Sequence, residues 1–280
     1  WIEKNLKKGD RLGFDPWLVT ADQARRFAAA CEKAGAALVP LTSNPIDAIW
    51  TDQPARPAAA ITTQPTQFAG RKSADKLKDM AKALGDADAV VLTQPDSVSW
   101  VFNIRGFDVP YTPVVLAYAI LRRKGKAELF IDSGKVPEDV RSHLKSIAKL
   151  RQPGEIAASL RALGKARATV QIDPVWTPEA IRSVLTKSGA KIVHGTDPCV
   201  LPKARKNKIE QEGARAAQLR DGAAMSRFLR WLEAEAPGGR LTELSAAAKL
   251  EGFRRQTGML MDLSFDAISA AGPHAAIPHY

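Results

Sequence analysis

The chain has 280 residues, 45% hydrophobic and 25% charged, the ordinary balance of a globular protein, so wholesale disorder is excluded. That length exceeds the usual single domain and predicts about two domains, each able to bury a core. No apolar run approaches the roughly 20 residues needed to cross a bilayer, which excludes a spanning helix and predicts no membrane partner.

Cys31 and Cys199 are the two cysteines, too few for a disulfide framework. With no apolar leader ahead of a small-residue cleavage site, a reducing, cytoplasmic compartment is expected. The chain begins with Trp1 and stops at Tyr280 without a capping signal, as expected of a piece of something longer. Lys and Arg number 41 against 30 Asp and Glu, a formal charge of +11. The basic residues are scattered, and the densest clusters are Arg122-Arg123-Lys124 with Lys126, and Lys203 to Lys208. Neither cluster is interleaved with aromatic residues, so the stacking platform of single-strand binders is missing and no nucleic-acid partner is expected.

Arg11–Phe14 is a short strand candidate. Thr20-Ala21-Asp22-Gln23 has the spacing of a capping box, and Ala24, Phe27, Ala28 and Cys31 follow as one apolar helical face closed by Gly35. Cys31 is then a small core residue. Ala36–Leu41 returns as a strand. Thr51-Asp52-Gln53-Pro54-Ala55-Arg56-Pro57 reads as an extended linker, because proline removes a donor and biases its predecessor away from helix. A boundary falls between about Pro57 and Thr66, and a helix follows Ser73, with Leu77, Met80, Ala81 and Leu84 as its stripe.

Strands are predicted at Ala89–Thr93, Val98–Ile104, Val114–Leu121 and Ala127–Ile131, the last two joined by a hairpin turn over Arg122–Lys126. Helices are predicted over Glu138–Leu150 and Gly154–Leu163, then a strand at Thr169–Asp173. Thr177-Pro178 reads as an N-cap followed by proline at the first helical position, with Gly189 closing that helix and Lys191–His194 as one more strand. The pattern predicts an α/β domain with a mixed sheet. Beyond a boundary near Val200–Pro202 the chain turns helical, with Met225, Phe228, Leu229, Leu232 and Ala236 on one face, a break at Pro237-Gly238-Gly239, and a second helix capped by Thr242. Leu260–Ile268 reads as strand-like.

No Walker loop, Gly-x-Ser-x-Gly elbow or His-Glu-x-x-His is present. Of the four histidines, His143 in a surface helix and His194 at a strand end read as structural, whereas His274 and His279 lie five apart in a Gly/Pro-rich stretch. Glu233 and Glu235 fall on a helix exterior. Asp262 and Asp266, four apart in a predicted strand, would share a face and could line a pocket.

Several stretches resemble a known family. Ser99-Trp100-Val101-Phe102-Asn103-Ile104-Arg105-Gly106-Phe107-Asp108-Val109-Pro110 is similar to the middle-domain signature of the three-domain aminopeptidase P (Xaa-Pro aminopeptidase) family, an M24 and creatinase-like group. Leu201-Pro202-Lys203-Ala204-Arg205-Lys206-Asn207 and Gln218-Leu219-Arg220-Asp221-Gly222-Ala223-Ala224 resemble the opening of its catalytic domain. Leu263-Ser264-Phe265-Asp266-Ala267-Ile268-Ser269, running to Gly272-Pro273 and His279-Tyr280, resembles the approach to its active site.

The resemblance implies a creatinase N-domain-like mixed sheet flanked by helices, followed by the helical start of a pita-bread catalytic domain. The implied division is 1–58 (end of a first domain), 59–201 (middle domain) and 202–280 (start of the peptidase domain). It further implies hydrolysis of the N-terminal residue from peptides with proline second, by a centre of two metal ions, usually Mn2+, and a homodimer formed through the catalytic domain. His279 is implied as the catalytic and substrate-binding residue; Pro278 and His274 stand where the family pattern has other residues. No metal ligand is assigned here, because the family's two Asp, one His and two Glu follow the His-Tyr motif, and its substrate-contacting Arg precedes the position of Trp1. Phe130-Ile131-Asp132-Ser133-Gly134 imitates a metal-binding Asp segment, but Asp132 reads as a turn residue. The polypeptide by itself is expected to be inactive. The alternative is a non-catalytic peptide- or protein-binding relative lacking the metal site.

Overall fold

The computed structural model describes residues 1–276. They gather into two units: Trp1–Asp108 with Pro113–Arg205, and Val109–Thr112 with the chain from Lys206 onward.

In the larger unit, strands β1 (Arg11–Phe14) and β2 (Ala37–Pro40) pair in parallel across the helix Ala21–Lys33. That helix starts with the predicted capping box: Thr20 Oγ1 accepts from the Gln23 amide at 3.3 Å while Gln23 Oε1 accepts from the Thr20 amide at 3.0 Å. Cys31 is buried on its inner face, as the periodicity implies. The backbone of this layer is stitched to the rest of the unit, since the Ala21 amide donates to Thr177 O at 2.8 Å and the Glu179 amide to Val19 O at 2.9 Å.

The main sheet has six strands in the order β10-β9-β4-β6-β7-β8. These are β4 (Ala89–Leu92), β6 (Tyr118–Arg122), β7 (Ala127–Phe130), β8 (Ala148–Arg151), β9 (Thr169–Ile172) and β10 (Lys191–His194). A separate antiparallel pair joins β3 (Thr62–Thr63) to β5 (Ile104–Arg105). The hairpin β6–β7 and the β4–β6 pairing are antiparallel, while β4–β9, β9–β10 and β7–β8 are parallel. The sheet is therefore mixed and covered by helices on both faces.

Strand alternation sorts β4 between two cores. Val90 and Leu92 face one, with Leu121, Leu129, Phe102 and Val140; Ala89 and Val91 face the other, with Ile120, Leu160, Ile172 and Ile181. Each of the Val, Leu, Ile and Phe side chains among them contributes about 1.5 to 3 kcal/mol by leaving water. On the second face, helices Ile156–Lys165 and Glu179–Lys187 approach so closely that a Cβ on Gly164 would meet Ser188 backbone carbon at 2.7 Å.

Four sequence expectations are corrected here. Val98–Ile104 is not a strand: Pro95–Phe102 is a helix, with Pro95 in its first turn and Asn103 in the left-handed conformation at its end. Six consecutive buried residues, Ser97 to Phe102, leave no stripe to betray the helical period. The strand expected from Val114 starts only at Tyr118. The helix expected over Glu138–Leu150 stops at Leu144, and Ala148–Arg151 is the edge strand β8. Leu144, Ile147 and Leu150 recur every third residue and so mimic a continuing helix. Thr177 does not cap the following helix, which runs Glu179–Lys187 with Pro178 at its N-cap; the Thr177 hydroxyl is buried without a hydrogen-bond partner, and its carbonyl serves Ala21 instead.

In the smaller unit, helix Lys208–Glu235 opens on a capping box between Asn207 and Glu210 and lies beside helix Glu243–Arg255, capped by Thr242 as predicted. Arg254 grips Asp221 with two bonds, 2.6 and 3.2 Å. Arg227 stacks over Phe253 at 4.8 Å, and Lys249 over Trp231 at 5.2 Å. Among the described residues no helix is long and apolar enough to cross a membrane.

Candidate functional site

The signature stretch is held in the larger unit, from Ser99 to Asp108, by buried polar contacts. Asn103, at φ 50°, accepts from Lys76 Nζ at 2.7 Å and donates to Arg71 O at 2.8 Å. Lys76 also donates to Trp100 O at 2.9 Å and sits 4.3 Å from the centre of the Trp100 ring, so its buried ammonium is held by oxygens and a π face together. Arg105 reaches back to Ile104 O at 2.9 Å. Gly106 is obligatory, because an added Cβ would lie 2.7 Å from Val114 O. Asp108 is paired with the buried Lys135. The signature thus folds a loop and contributes no cluster of reacting groups to the larger unit.

In the smaller unit, Val109–Thr112 makes a tight turn closed by the Thr112 amide on Val109 O at 3.2 Å, with Tyr111 at φ 60°. The Tyr111 hydroxyl donates to Asp266. That bond and the Asp266 charge, with Asp262 and Glu251 adding to it, push the Tyr111 phenol above its ordinary range.

The stretch carrying Asp266 is not the strand expected over Leu260–Ile268; no helix or strand forms between Arg255 and Gly272. Asp262 and Asp266 therefore do not share a strand face. Asp262 caps locally, accepting from the Leu263 amide at 2.7 Å, and Asp266 faces Tyr111. Further on, Glu243 Oε1 accepts from the Ala271 amide at 2.7 Å and lies 2.9 Å from His274 Nδ1. The Ala271 amide, then His274, hold the Glu243 carboxyl below the usual carboxylate range.

The predicted site residues distribute as follows. His279 lies outside the described residues. His274 is brought to Glu243. His143 Nε2 lies 2.9 Å from Phe102 O and 3.4 Å from Ser73 Oγ, a structural placement, and His194 ends β10. Asp132 is a turn residue, accepting from the Gly134 amide at 2.9 Å. Glu233 and Glu235 are exposed on their helix. The basic clusters serve local contacts: Arg122 binds Glu128, Arg123 binds Asp88, and Lys203 pairs with Asp96. Among the described residues, no group of three or more His, Cys, Asp and Glu could hold a metal ion, so no step of metal chemistry is assigned to them. Sequence reasoning missed Tyr111 and Glu243. The two prolines bracketing Tyr111, Pro110 and Pro113, signal a constrained turn, whereas nothing local marks Glu243.

A helix-covered mixed sheet followed by a helical pair is the arrangement of a creatinase-like amino-terminal domain entering a metallopeptidase domain. The creatinase/prolidase N-terminal domain family matches residues 52–210, and metallopeptidase family M24 matches residues 212–280. The first match takes in more than half of the chain, which belongs to the creatinase/prolidase N-terminal domain family.

A probable Xaa-Pro aminopeptidase P from Paracoccidioides brasiliensis (strain Pb03) is 37% identical over 295 residues, spanning 100% of this chain and 48% of the relative. The crystal structure of X-prolyl aminopeptidase from Caenorhabditis elegans, described as a cytosolic enzyme with a di-nuclear active site, superposes with a TM-score of 0.92 at 33% identity, over 100% of this chain and 46% of that one. An Xaa-Pro dipeptidase from Bacillus anthracis shares the fold alone, at a TM-score of 0.53 and 20% identity, over 74% of this chain and 56% of that one. The chain spans about half the length of the curated relatives it matches.

Proposed function

We propose that this chain is part of a metal-dependent Xaa-Pro aminopeptidase, which hydrolyses the N-terminal residue from peptides with proline second. The observation that carries this reading is a likeness running the whole length of the chain, 33% identical at a TM-score of 0.92, to an X-prolyl aminopeptidase. Residues 1–58 would close a first domain, 59–201 form the middle domain, and 202–280 open the peptidase domain.

Two divalent ions, Mn2+ in our reading, would polarise the scissile carbonyl and supply hydroxide near neutral pH. Their ligands are not assigned to this chain. His279 would contact the substrate and move a proton, a task suited to an imidazole, whose ordinary pKa is about 6.5. The full-length protein would be a cytoplasmic homodimer joined through its catalytic domain. The cytosolic description of the nematode neighbour supports the compartment. Exposed Leu219, Leu229 and Leu244 on the two helices of the smaller unit leave apolar surface for further burial.

The test is an assay of the full-length protein on an Xaa-Pro peptide with added Mn2+. Metal-dependent release of the first residue, abolished by a chelator, is expected. Its absence would overturn the reading in favour of a non-catalytic binding relative.

A further inference from the structure

The stretch from Met259 to Ala271 has no ladder or helix to fix its course. Its hydrogen bonds to side chains include Met259 N to Thr257 Oγ1 at 3.3 Å, Leu263 N to Asp262 Oδ1 at 2.7 Å, Asp266 to Tyr111, and Ala271 N to Glu243 at 2.7 Å. Two of these stand out because they bind the stretch to residues far away in sequence, one on the Val109–Thr112 turn and one at the start of helix Glu243–Arg255.

The turn is built to present its hydroxyl at a fixed place. Tyr111 sits at φ 60°, a left-handed conformation that is strained for a residue with a side chain. Proline lies on either side, at Pro110 and Pro113, and Thr112 N closes the turn on Val109 O. A strained residue in a braced turn, spending its only side-chain donor on one carboxylate, is the mark of a position held for a purpose beyond local folding. Asp266 gains from the same bond, since it is exposed and otherwise free to point to water.

We propose that Tyr111 is a positioning residue for the peptidase reaction. Its hydroxyl holds Asp266 and so fixes the path of the chain thirteen residues ahead of His279, with Glu243 as the second anchor. The inference rests on the aminopeptidase reading. It assigns Tyr111 no contact with substrate and no proton transfer; the residue acts through the stretch it holds.

The experiment uses the full-length protein with Mn2+ and an Xaa-Pro peptide, comparing wild type with Tyr111→Phe, Asp266→Asn and Asp266→Ala. Misplacing reacting groups by about an ångström costs up to a hundredfold in rate. Tyr111→Phe and Asp266→Ala are therefore expected to lower kcat by about ten- to a hundredfold, with KM changed less than about threefold. Asp266→Asn keeps an acceptor for the phenol and should recover most of that loss. The Tyr111→Phe, Asp266→Ala double variant should be no slower than either single one, because both remove one bond. Amide exchange of peptides covering 260–271 should speed up in Tyr111→Phe at unchanged melting temperature. Wild-type inactivity would overturn the aminopeptidase reading and this inference with it. An active wild type with unaltered kcat in Tyr111→Phe, equal defects in Asp266→Asn and Asp266→Ala, or additive losses in the double variant would overturn the positioning role alone.

Discussion

Lys76 and Asn103 meet in the interior with the ammonium nitrogen 2.7 Å from the side-chain oxygen, although each residue is only 2% exposed. Asn103 is the left-handed residue that ends helix Pro95–Phe102 and starts the signature loop. The buried charge therefore sits where the backbone changes direction, and the loop's geometry depends on a pair that cannot turn to water.

Lys76→Met should cost about 2 to 3 kcal/mol, because the Asn103 side-chain oxygen and the Trp100 carbonyl each lose a donor inside the core. Asn103→Gly tolerates the φ of 50° and forfeits only the side-chain bonds, whereas Asn103→Ala also carries the left-handed strain. The alanine variant should be less stable than the glycine variant by about 1 kcal/mol, read from urea denaturation midpoints. Equal midpoints would remove the conformational part of the explanation.

Glu128 gives the larger unit an acid limit. Burial alone would raise its carboxyl, but the bonds from Arg122 and from Ser159 Oγ at 2.7 Å, with Arg151 3.5 Å away, outweigh it and hold the carboxyl below its ordinary 4.5. A depressed carboxylate contributes stability that is complete above the unfolded value and lost as pH falls through the folded value. Stability should therefore decline below about pH 4.5, and Glu128→Gln should flatten that decline while costing about 1 to 2 kcal/mol at neutral pH. Denaturation midpoints across pH 3 to 7, roughly the carboxylate range, check both effects.

Much of this architecture is legible in the sequence because local signals agree with the tertiary outcome. The Thr20–Gln23 box, the β6–β7 hairpin around Arg122–Lys126, and the Thr242 cap all carry their own stop and start chemistry. Legibility fails where burial is complete or where a spacing serves two periods. Ser97–Phe102 is apolar or small on every side, so neither a 3.6-residue nor a 2-residue period shows. Leu144, Ile147 and Leu150 fit a helix by spacing, yet the chain turns after Leu144 and Leu150 enters a strand. The candidate site is less legible still. The motifs disclose the family, but Tyr111 meets Asp266 across 155 positions and Glu243 meets His274 across 31, and no local pattern encodes either contact.

Both cysteines should be chemically silent in the folded protein. Cys199 is fully buried with Sγ 3.6 Å from Met80 Sδ, and burial, followed by the neighbouring Asp197 charge, pushes its thiol far above the ordinary range. Cys31 is 1% exposed. Since the thiolate is the reacting species, iodoacetamide at neutral pH should modify neither until the protein unfolds. Mass spectrometry after timed alkylation reads this directly: two adducts in denaturant and none without it are expected, and modification of native Cys199 would contradict its placement.

Glu243 should act as a pH-dependent clasp on the chain ahead of residue 277. Its carboxylate accepts from the Ala271 amide and lies beside His274 Nδ1, and these contacts lower its pKa. The sign follows as for any depressed carboxylate: the clasp is held above about 4.5, the ordinary glutamate value, and released as pH falls through the lower folded value. His274 is exposed, so salt should weaken its share of the contact while leaving the Ala271 bond nearly intact. Amide exchange at Ala271, corrected for intrinsic pH dependence, should lose protection on acidification. Glu243→Gln keeps a neutral acceptor and loses the charge, so its protection should be weaker than that of wild type at neutral pH and nearly independent of pH, whereas Glu243→Ala should lack protection throughout. An Ala271 amide equally protected in wild type and Glu243→Ala would show that something other than this carboxylate fixes the stretch.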